Sequence, residues 1–330
     1  MNTRTFIISG LLFATCSFPL TAVEDTALLF PNPKETPWFT GPLRAPSGTV
    51  IGQGRYSIQT YLSTDVVTGG YNSHWKTVSS PNLYYNSVLL QARYGVTDFM
   101  DIMISPQVYY YNYCQSQSST GFGDLPLELD FQLIRPDRFE WFPGVKLGII
   151  EIFPTGKYQK LNLKKKLTDL TGEGSFSTTP YLLFYKIYHL SGHHYLSTIA
   201  CIQYTYAAPV HVKGHNYYRG GKRTRGKVYP GNEVLGILSF EYSFTRNWVF
   251  ALDNIYEHND KDRFRGKQGF TKHRTKAKVG YPSSESLSFA PAIEYNFNQK
   301  LGIITGVWFT AAGRNTLKFY NGLFSFVAQY

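Results

Sequence analysis

The sequence predicts an all-β fold, a transmembrane antiparallel β-barrel of about 12 strands with short turns at one end and long basic loops at the other. Three observations carry this expectation. Apolar and polar residues alternate with period 2 in runs of about 9–13 residues, a two-faced strand long enough to cross a bilayer when tilted. The connections between runs alternate between long and short, so the strands pair as hairpins. Aromatic residues make up 17% of the 330 residues, with 26 Tyr and 24 Phe, enough to furnish interfacial girdles.

Residues 1–22 combine a basic start at Arg4, an apolar run from Phe6 to Phe13 and small residues at Thr21 and Ala22, the layout of a secretory signal peptide. Residues 23–54 carry Pro31, Pro33, Pro37, Pro42 and Pro46 with little alternation. They read as an irregular segment, either a periplasmic tail or a plug folded back into the lumen. The barrel is expected over 55–330. Cys114 and Cys201 are too few and too far apart for a disulfide framework and are expected as free thiols.

Strands are expected at Arg55–Ser63, Leu83–Tyr94, Met100–Tyr113, Asp124–Ile134, Gly144–Phe153, Ser177–Tyr188, Tyr195–Ala207, Glu233–Phe244, Trp248–His258, Ser286–Phe297, Leu301–Ala311 and Leu317–Tyr330. Between them, the connections after strands 1, 3, 5, 7 and 9 are loops, those after the even-numbered strands are tight turns such as Val96-Thr97-Asp98-Phe99 and Asn298-Gln299-Lys300, and a brief Gly313-Arg314-Asn315 turn leads into the last strand. An even count with both ends on the short-turn side is the plan of an outer-membrane barrel, which satisfies every backbone group in hydrocarbon without leaving an edge. In the last strand Tyr320, Phe324, Phe326 and Tyr330 share one face, and this strand must meet the first to close the barrel. It is also where the barrel-assembly machinery is expected to engage.

With the apolar set of each strand facing lipid, the polar set faces the lumen. That assigns Arg55, Arg93, Asp101, Gln107, Glu128, Asp130, Lys146, Lys186, Glu241, Asp253, Glu257 and Glu294 to the interior, where carboxylates and cations must pair or bridge through water. Glu151 falls on the apolar register, which calls for a bulge or an earlier strand end. About 12 strands leave an interior too narrow for an open general porin and wide enough for a small solute.

The chain's net charge of +11 is unevenly placed. The three long loops hold 19 of the 33 Lys and Arg against four acids, a local +15, so the remainder is slightly negative. Lys164, Lys165, Lys166, Lys222, Arg223, Arg225, Arg263, Arg265 and Arg274 are the candidate polyanion-binding positions, with lipopolysaccharide phosphates or anionic solutes as partners. Nucleic acid is not expected, because an exported barrel rarely meets it. No catalytic constellation is present: G-x-S-x-G, H-E-x-x-H and the P-loop are all missing, and His211 and His215 sit in a Gly/Arg-rich loop rather than on a helix. Neither an enzyme nor a cofactor is expected.

Thr120-Gly121-Phe122-Gly123-Asp124-Leu125 opens the fourth strand, and Pro143–Gly148 followed by Phe153-Pro154-Thr155-Gly156 covers the fifth. This pairing resembles the outer-membrane channel family linked to meta-pathway phenol degradation. The resemblance runs from about Gly121 to Lys157 and implies a barrel that passes small aromatic compounds. At its matching positions, strand-end geometry is the expected role of the glycines and of Asp124. The expected function is an outer-membrane channel or uptake protein for small solutes, aromatic ones included. The alternative is a non-conducting surface barrel whose basic loops bind lipopolysaccharide or other polyanions.

Overall fold

The computed structural model describes residues 38–113, 117–138, 140–165 and 168–330. The expected signal peptide, residues 23–37 of the expected irregular segment, Cys114 and Lys166 lie outside the described residues. Among the described residues there are seventeen strands: β1 (Tyr56–Tyr71), β2 (Thr77–Thr97), β3 (Met100–Ile104), β4 (Gln107–Tyr113), β5 (Gln117–Phe122), β6 (Leu125–Ile134), β7 (Gly144–Phe153), β8 (Ser177–Ser191), β9 (His194–Ala207), β10 (Val210–Lys213), β11 (Arg225–Tyr229), β12 (Glu233–Ser243), β13 (Trp248–Asn259), β14 (Arg263–Lys267), β15 (Ser284–Asn296), β16 (Leu301–Arg314) and β17 (Leu317–Gln329).

β3 and β4 are one stave interrupted at Ser105-Pro106, and β5 and β6 are another interrupted at Gly123-Asp124. Proline has no N–H for the ladder, which accounts for the first break. Counted this way, the wall has twelve antiparallel staves, and β1 pairs with both β2 and β17 to close it. At the seam, Tyr56 and Tyr330 exchange backbone hydrogen bonds of 2.9 and 2.8 Å, and their rings stack at 5.3 Å.

The outward face is an apolar band bounded by two aromatic belts. Tyr56, Tyr94, Phe99, Tyr188, Phe244, Trp248, Phe297 and Tyr330 are exposed at the turn end; Tyr84, Tyr110, Phe122, Phe176, Tyr204, Tyr206, Tyr256 and Tyr320 are exposed toward the loop end. Ile58, Leu62, Val88, Ile202, Leu238, Phe250, Phe324 and Phe326 fill the band between. A continuous apolar ring of this kind is the lipid-facing surface of a membrane barrel.

Two stretches expected as loops are strands. β1 and β2 continue past Ser63 and before Leu83, pairing as far as Tyr71 and Thr77 around a register shift at Val67/Gly69. β5 pairs with β4 over Val108↔Phe122 to Tyr113↔Gln117. Residues 77–82 of β2 and 118–122 of β5 are exposed or half-buried on both faces, so the pattern that reveals a strand is weak there, whereas β1 beyond Ser63 keeps Asp65, Val67 and Tyr71 buried on one face. The second and third basic loops are also partly ordered, as a three-stranded sheet β10-β11-β14.

The seam predicts an outcome. Removing Tyr330 deletes two backbone hydrogen bonds and a ring stack where the barrel closes, so the fraction reaching the compact, heat-modifiable form on a gel should fall while the amount exported is unchanged. Normal assembly without Tyr330 would show that closure rests on the rest of the β1–β17 ladder.

Candidate functional site: the lumen and its internal segment

The wall turns its second face into an interior that is filled. Ten of the twelve residues expected there lie on inward registers: Arg93, Asp101, Gln107, Glu128, Asp130, Lys146, Glu241, Asp253, Glu257 and Glu294, seven of them no more than 2% exposed. Two do not. Arg55 has the inward parity but precedes β1 and is exposed at the rim. Lys186 alternates with the buried Leu183 and Tyr185 on β8, so it faces outward; its ammonium reaches the Glu140 carbonyl at the turn end. A long aliphatic stem lets a lysine lie along apolar wall while its charge escapes to the border. Glu151 likewise stays on the outward register without a bulge, close to the end of β7, where it accepts a 2.5 Å hydrogen bond from Thr178 Oγ1.

A charge cluster crosses the lumen between β2, β3, β6, β7 and β8. Arg93 lies 3.5 Å from Asp101, 3.9 Å from Glu128 and 3.5 Å from Asp130, and Lys146 Nζ donates to Asp130 at 2.8 Å. Tyr181, which polarity alone does not mark as luminal, donates its hydroxyl to Glu128 at 2.8 Å and Asp130 at 2.5 Å. Three carboxylates and two cations, all buried, are thereby held in one hydrogen-bonded group.

Residues 38–51 run through this interior. Thr40 N–H donates to Glu294 Oε2 at 2.7 Å, Arg44 N–H to Asp253 Oδ2 at 2.7 Å and Ile51 N–H to Asp101 Oδ2 at 2.9 Å. Val50 N–H donates to Gln132 at 3.1 Å, and Asn296 Nδ2 donates to the Trp38 carbonyl at 2.9 Å. The Arg44 guanidinium stacks 4.0 Å from the Trp308 ring, a cation–π contact in a desolvated setting. Phe39, Leu43, Ala45 and Ile51 are buried against the inward apolar residues, with Leu43 and Ala45 in the same cluster as Leu183, Leu235, Ile237 and Ile304. The lumen therefore carries both polar and apolar side chains, because its occupant has both. Passage is tight: a Cβ on Gly48 would lie 2.4 Å from the Tyr185 ring, and one on Gly306 would lie 2.5 Å from Leu43 Cδ1.

Above the segment, toward the loops, lies a cavity of about 360 Å³. Asp124, Glu173, Glu233, Glu257 and Asp262 line it together with Tyr217, Tyr218, Tyr281 and Arg219. Arg219 stacks on Tyr281 at 4.9 Å, and Asp262 accepts the amides of Gly231 at 2.9 Å and Tyr281 at 2.8 Å. Burial raises the Asp262 carboxyl above its ordinary range, opposed by those two amides. Burial, then the nearby charge of Asp124, pushes Glu173 up to about 8. Asp124 ties the chamber floor together by accepting the amides of Gly156 and Glu173, both at 2.8 Å, while Thr155 Oγ1 donates to the Gly123 carbonyl at 2.8 Å. The two short motifs around Gly123-Asp124 and Thr155-Gly156 thus meet across the ends of β6 and β7, as strand-end geometry requires.

The remaining basic positions divide. Lys164 and Lys165 sit on a short 3-10 turn at Leu163–Lys165. Lys222, Arg223 and Arg274 lie in the connections around the small sheet, and Arg225, Arg263 and Arg265 lie on it.

No protein-family model matches the sequence, and no curated protein matches it. Among solved structures, the COG4313 outer membrane channel from Pseudomonas putida F1 superposes with a TM-score of 0.63 at 14% identity, over 86% of this chain and 98% of that one. The fold is that of an outer-membrane β-barrel. More distant matches are the NanC porin (TM-score 0.41, 12% identity, 81% of this chain and 98% of that one) and the CymD monoaromatic hydrocarbon channel (TM-score 0.38, 10% identity, 85% and 89%).

Two outcomes follow from the site. Replacing Arg93 by Met leaves three buried carboxylates with Lys146 as their only wall cation, and should lower stability by about 3–5 kcal/mol, read as an earlier urea midpoint in detergent. Glu173 titrates high because the folded chamber favours its neutral form. Its stabilising contribution is complete below the ordinary carboxylate range and is lost as pH rises through about 8. After correction for the base-catalysed rise of intrinsic exchange, protection of the amides of residues 168–175 should therefore fall as pH rises toward about 8, and Glu173→Gln should remove that fall.

Proposed function

We propose that this chain is an outer-membrane channel or uptake protein for small solutes, kept shut at rest by residues 38–51. The observation that supports this most directly is the occupancy of the lumen by an irregular segment held through its backbone amides, below a chamber on the loop side. A barrel serving only as a platform has no use for a removable filling, whereas a conduit does. Solute enters the chamber past the loops and is held against Tyr217, Tyr218 and Tyr281 with carboxyl and hydroxyl groups beside them. It then moves inward as the segment yields.

A cavity of about 360 Å³ is at the small end of ligand-binding pockets. Its mixed aromatic and polar lining suits a compact amphipathic molecule, and solutes with one aromatic ring and a hydroxyl are the class we favour. The resemblance of Gly121–Lys157 to channels linked with meta-pathway phenol degradation supports the same class. No energy source is implied by any residue of the lumen, so movement follows the solute gradient.

Single-channel recording in planar bilayers tests the proposal. The full chain should be closed or conduct only in brief openings, and a chain lacking residues 38–51 should conduct steadily. Gly48→Leu, which drives a side chain into Tyr185, should raise the open time without a deletion. A barrel that stays silent in all three forms would overturn the channel reading.

A further inference from the structure

The sheet β10-β11-β14 is an upward continuation of three neighbouring staves. Glu233↔Thr205 in the wall and Val228↔Val210 in the sheet lie on one antiparallel ladder, as do Glu233↔Asn259 and Tyr229↔Arg263. The amide of Asp260 donates to the Asn232 carbonyl at 2.8 Å, bridging the junction between the second pair. Across these junctions the covered face changes parity. Below, odd-numbered residues such as Leu235 and Asp253 are buried; above, the even-numbered Val210, Val212 and Val228 are buried against Leu161, Leu170, Tyr217 and Tyr218.

The odd-numbered face is left open, and the pairing register arranges its charges in rows. Lys213, Arg225 and Lys267 stand opposite one another across the three strands; Lys227 and Arg265 stand together in the next row; Arg263 lies beside Tyr229 in the third. Lys227 and Arg265 approach the Tyr229 ring at 5.5 and 5.6 Å. No acidic residue lies on this face, and among the described residues none of these six cations has a carboxylate partner. Like charges directly opposite on a sheet are destabilising at about 5 Å, a separation inside the ~8 Å screening length of physiological salt. Lysines at sheet edges discourage strand addition, but that does not account for Arg225 and Lys227 on the central strand.

The geometry points to a docking surface for a soluble linear polyanion, an acidic polysaccharide whose charges recur at about 5–7 Å, the spacing of neighbours across and along the strands. Height separates this partner from the phosphates of membrane lipid. Arg263 is seven residues beyond Tyr256, the last exposed aromatic of β13, roughly 20 Å along the strand. Even at a tilt of ~40° that clears a headgroup layer of about 5–8 Å on one side of the bilayer. The surface is separate from the lumen, and its occupancy does not depend on whether the barrel conducts.

Titration of the full chain in neutral detergent with heparin oligosaccharides tests the inference, with neutral dextran and lipopolysaccharide micelles as the comparison arms. Heparin should bind, dextran should not, and affinity should fall at least about tenfold between about 50 and 500 mM NaCl. The combined variant Lys213→Gln, Arg225→Gln, Lys267→Gln should lose a similar factor, whereas Lys300→Gln, in the exposed turn at the opposite end of the barrel, should leave it unchanged. If the triple variant folds poorly, the single edge-strand change Lys267→Glu reads the same row. Unchanged heparin affinity in the row variants, no heparin binding at low salt, or row-dependent binding to lipopolysaccharide micelles alone would overturn it.

Discussion

Buried carboxylates set the terms for everything inside this barrel. The wall closes because hydrocarbon tolerates no unpaired backbone group, and closure turns Asp101, Glu128, Asp130, Asp253 and Glu294 into a space with little room for water. A charge taken out of water must be met by another charge or by hydrogen bonds. Arg93 and Lys146 meet Asp101, Glu128 and Asp130 from the wall; Asp253, Glu294 and the same Asp101 oxygen that faces Arg93 are met by amides of residues 38–51. The composition of that segment now has a reason. Pro42 and Pro46 keep the chain from folding onto itself, so the amides of Thr40 and Arg44 remain available to the wall.

The two ends of the barrel solve different problems with the same ladder. At the turn end the staves stop at once, and paired aromatics such as Tyr56 and Tyr330 finish the lipid face. At the other end three staves continue as β10, β11 and β14, and their covered face packs on tyrosines that also line the chamber. The chamber is acidic where the outer sheet is basic. A layer of Tyr217, Tyr218, Val212 and Val228 packs between the two.

Much of this was legible in the residues. Alternation located all twelve staves, because each must turn one face to lipid. Glu128, Asp130 and Lys146 could be assigned inward because their neighbours Leu127, Leu129, Phe131 and Leu147 are apolar. The same rule misplaced Lys186, whose inward neighbours are Leu183 and Tyr185: a lumen filled by an apolar segment welcomes apolar wall residues, so polarity alone stops reporting the face. Asp65 is buried on the inward parity that begins at Ser57, and extending the alternation of β1 past Ser63 was the signal available for it. The chamber was not legible. Tyr217, Tyr218 and Tyr281 come from connections without periodicity, and what brings them together is the backbone path around Asp262.

The hold on the internal segment is strong in sum and weak in character. Three amide–carboxylate bonds contribute about 1.5–3 kcal/mol each where water is excluded, and burial of Phe39 and Leu43 adds about 1.5–3 kcal/mol apiece. Together these keep the segment seated. Yet water can replace an amide at a carboxylate with little change in hydrogen bonding, so each polar contact loses its value once the lumen is wet. The wall ladder would be untouched by that exchange, and Arg93 and Lys146 would still pair with the carboxylates of their cluster. The segment is therefore a filling of the barrel rather than part of what holds the barrel together. Its release, as proposed above, would turn on wetting around Phe39, Leu43, Ala45 and Ile51, whose contacts water cannot replace.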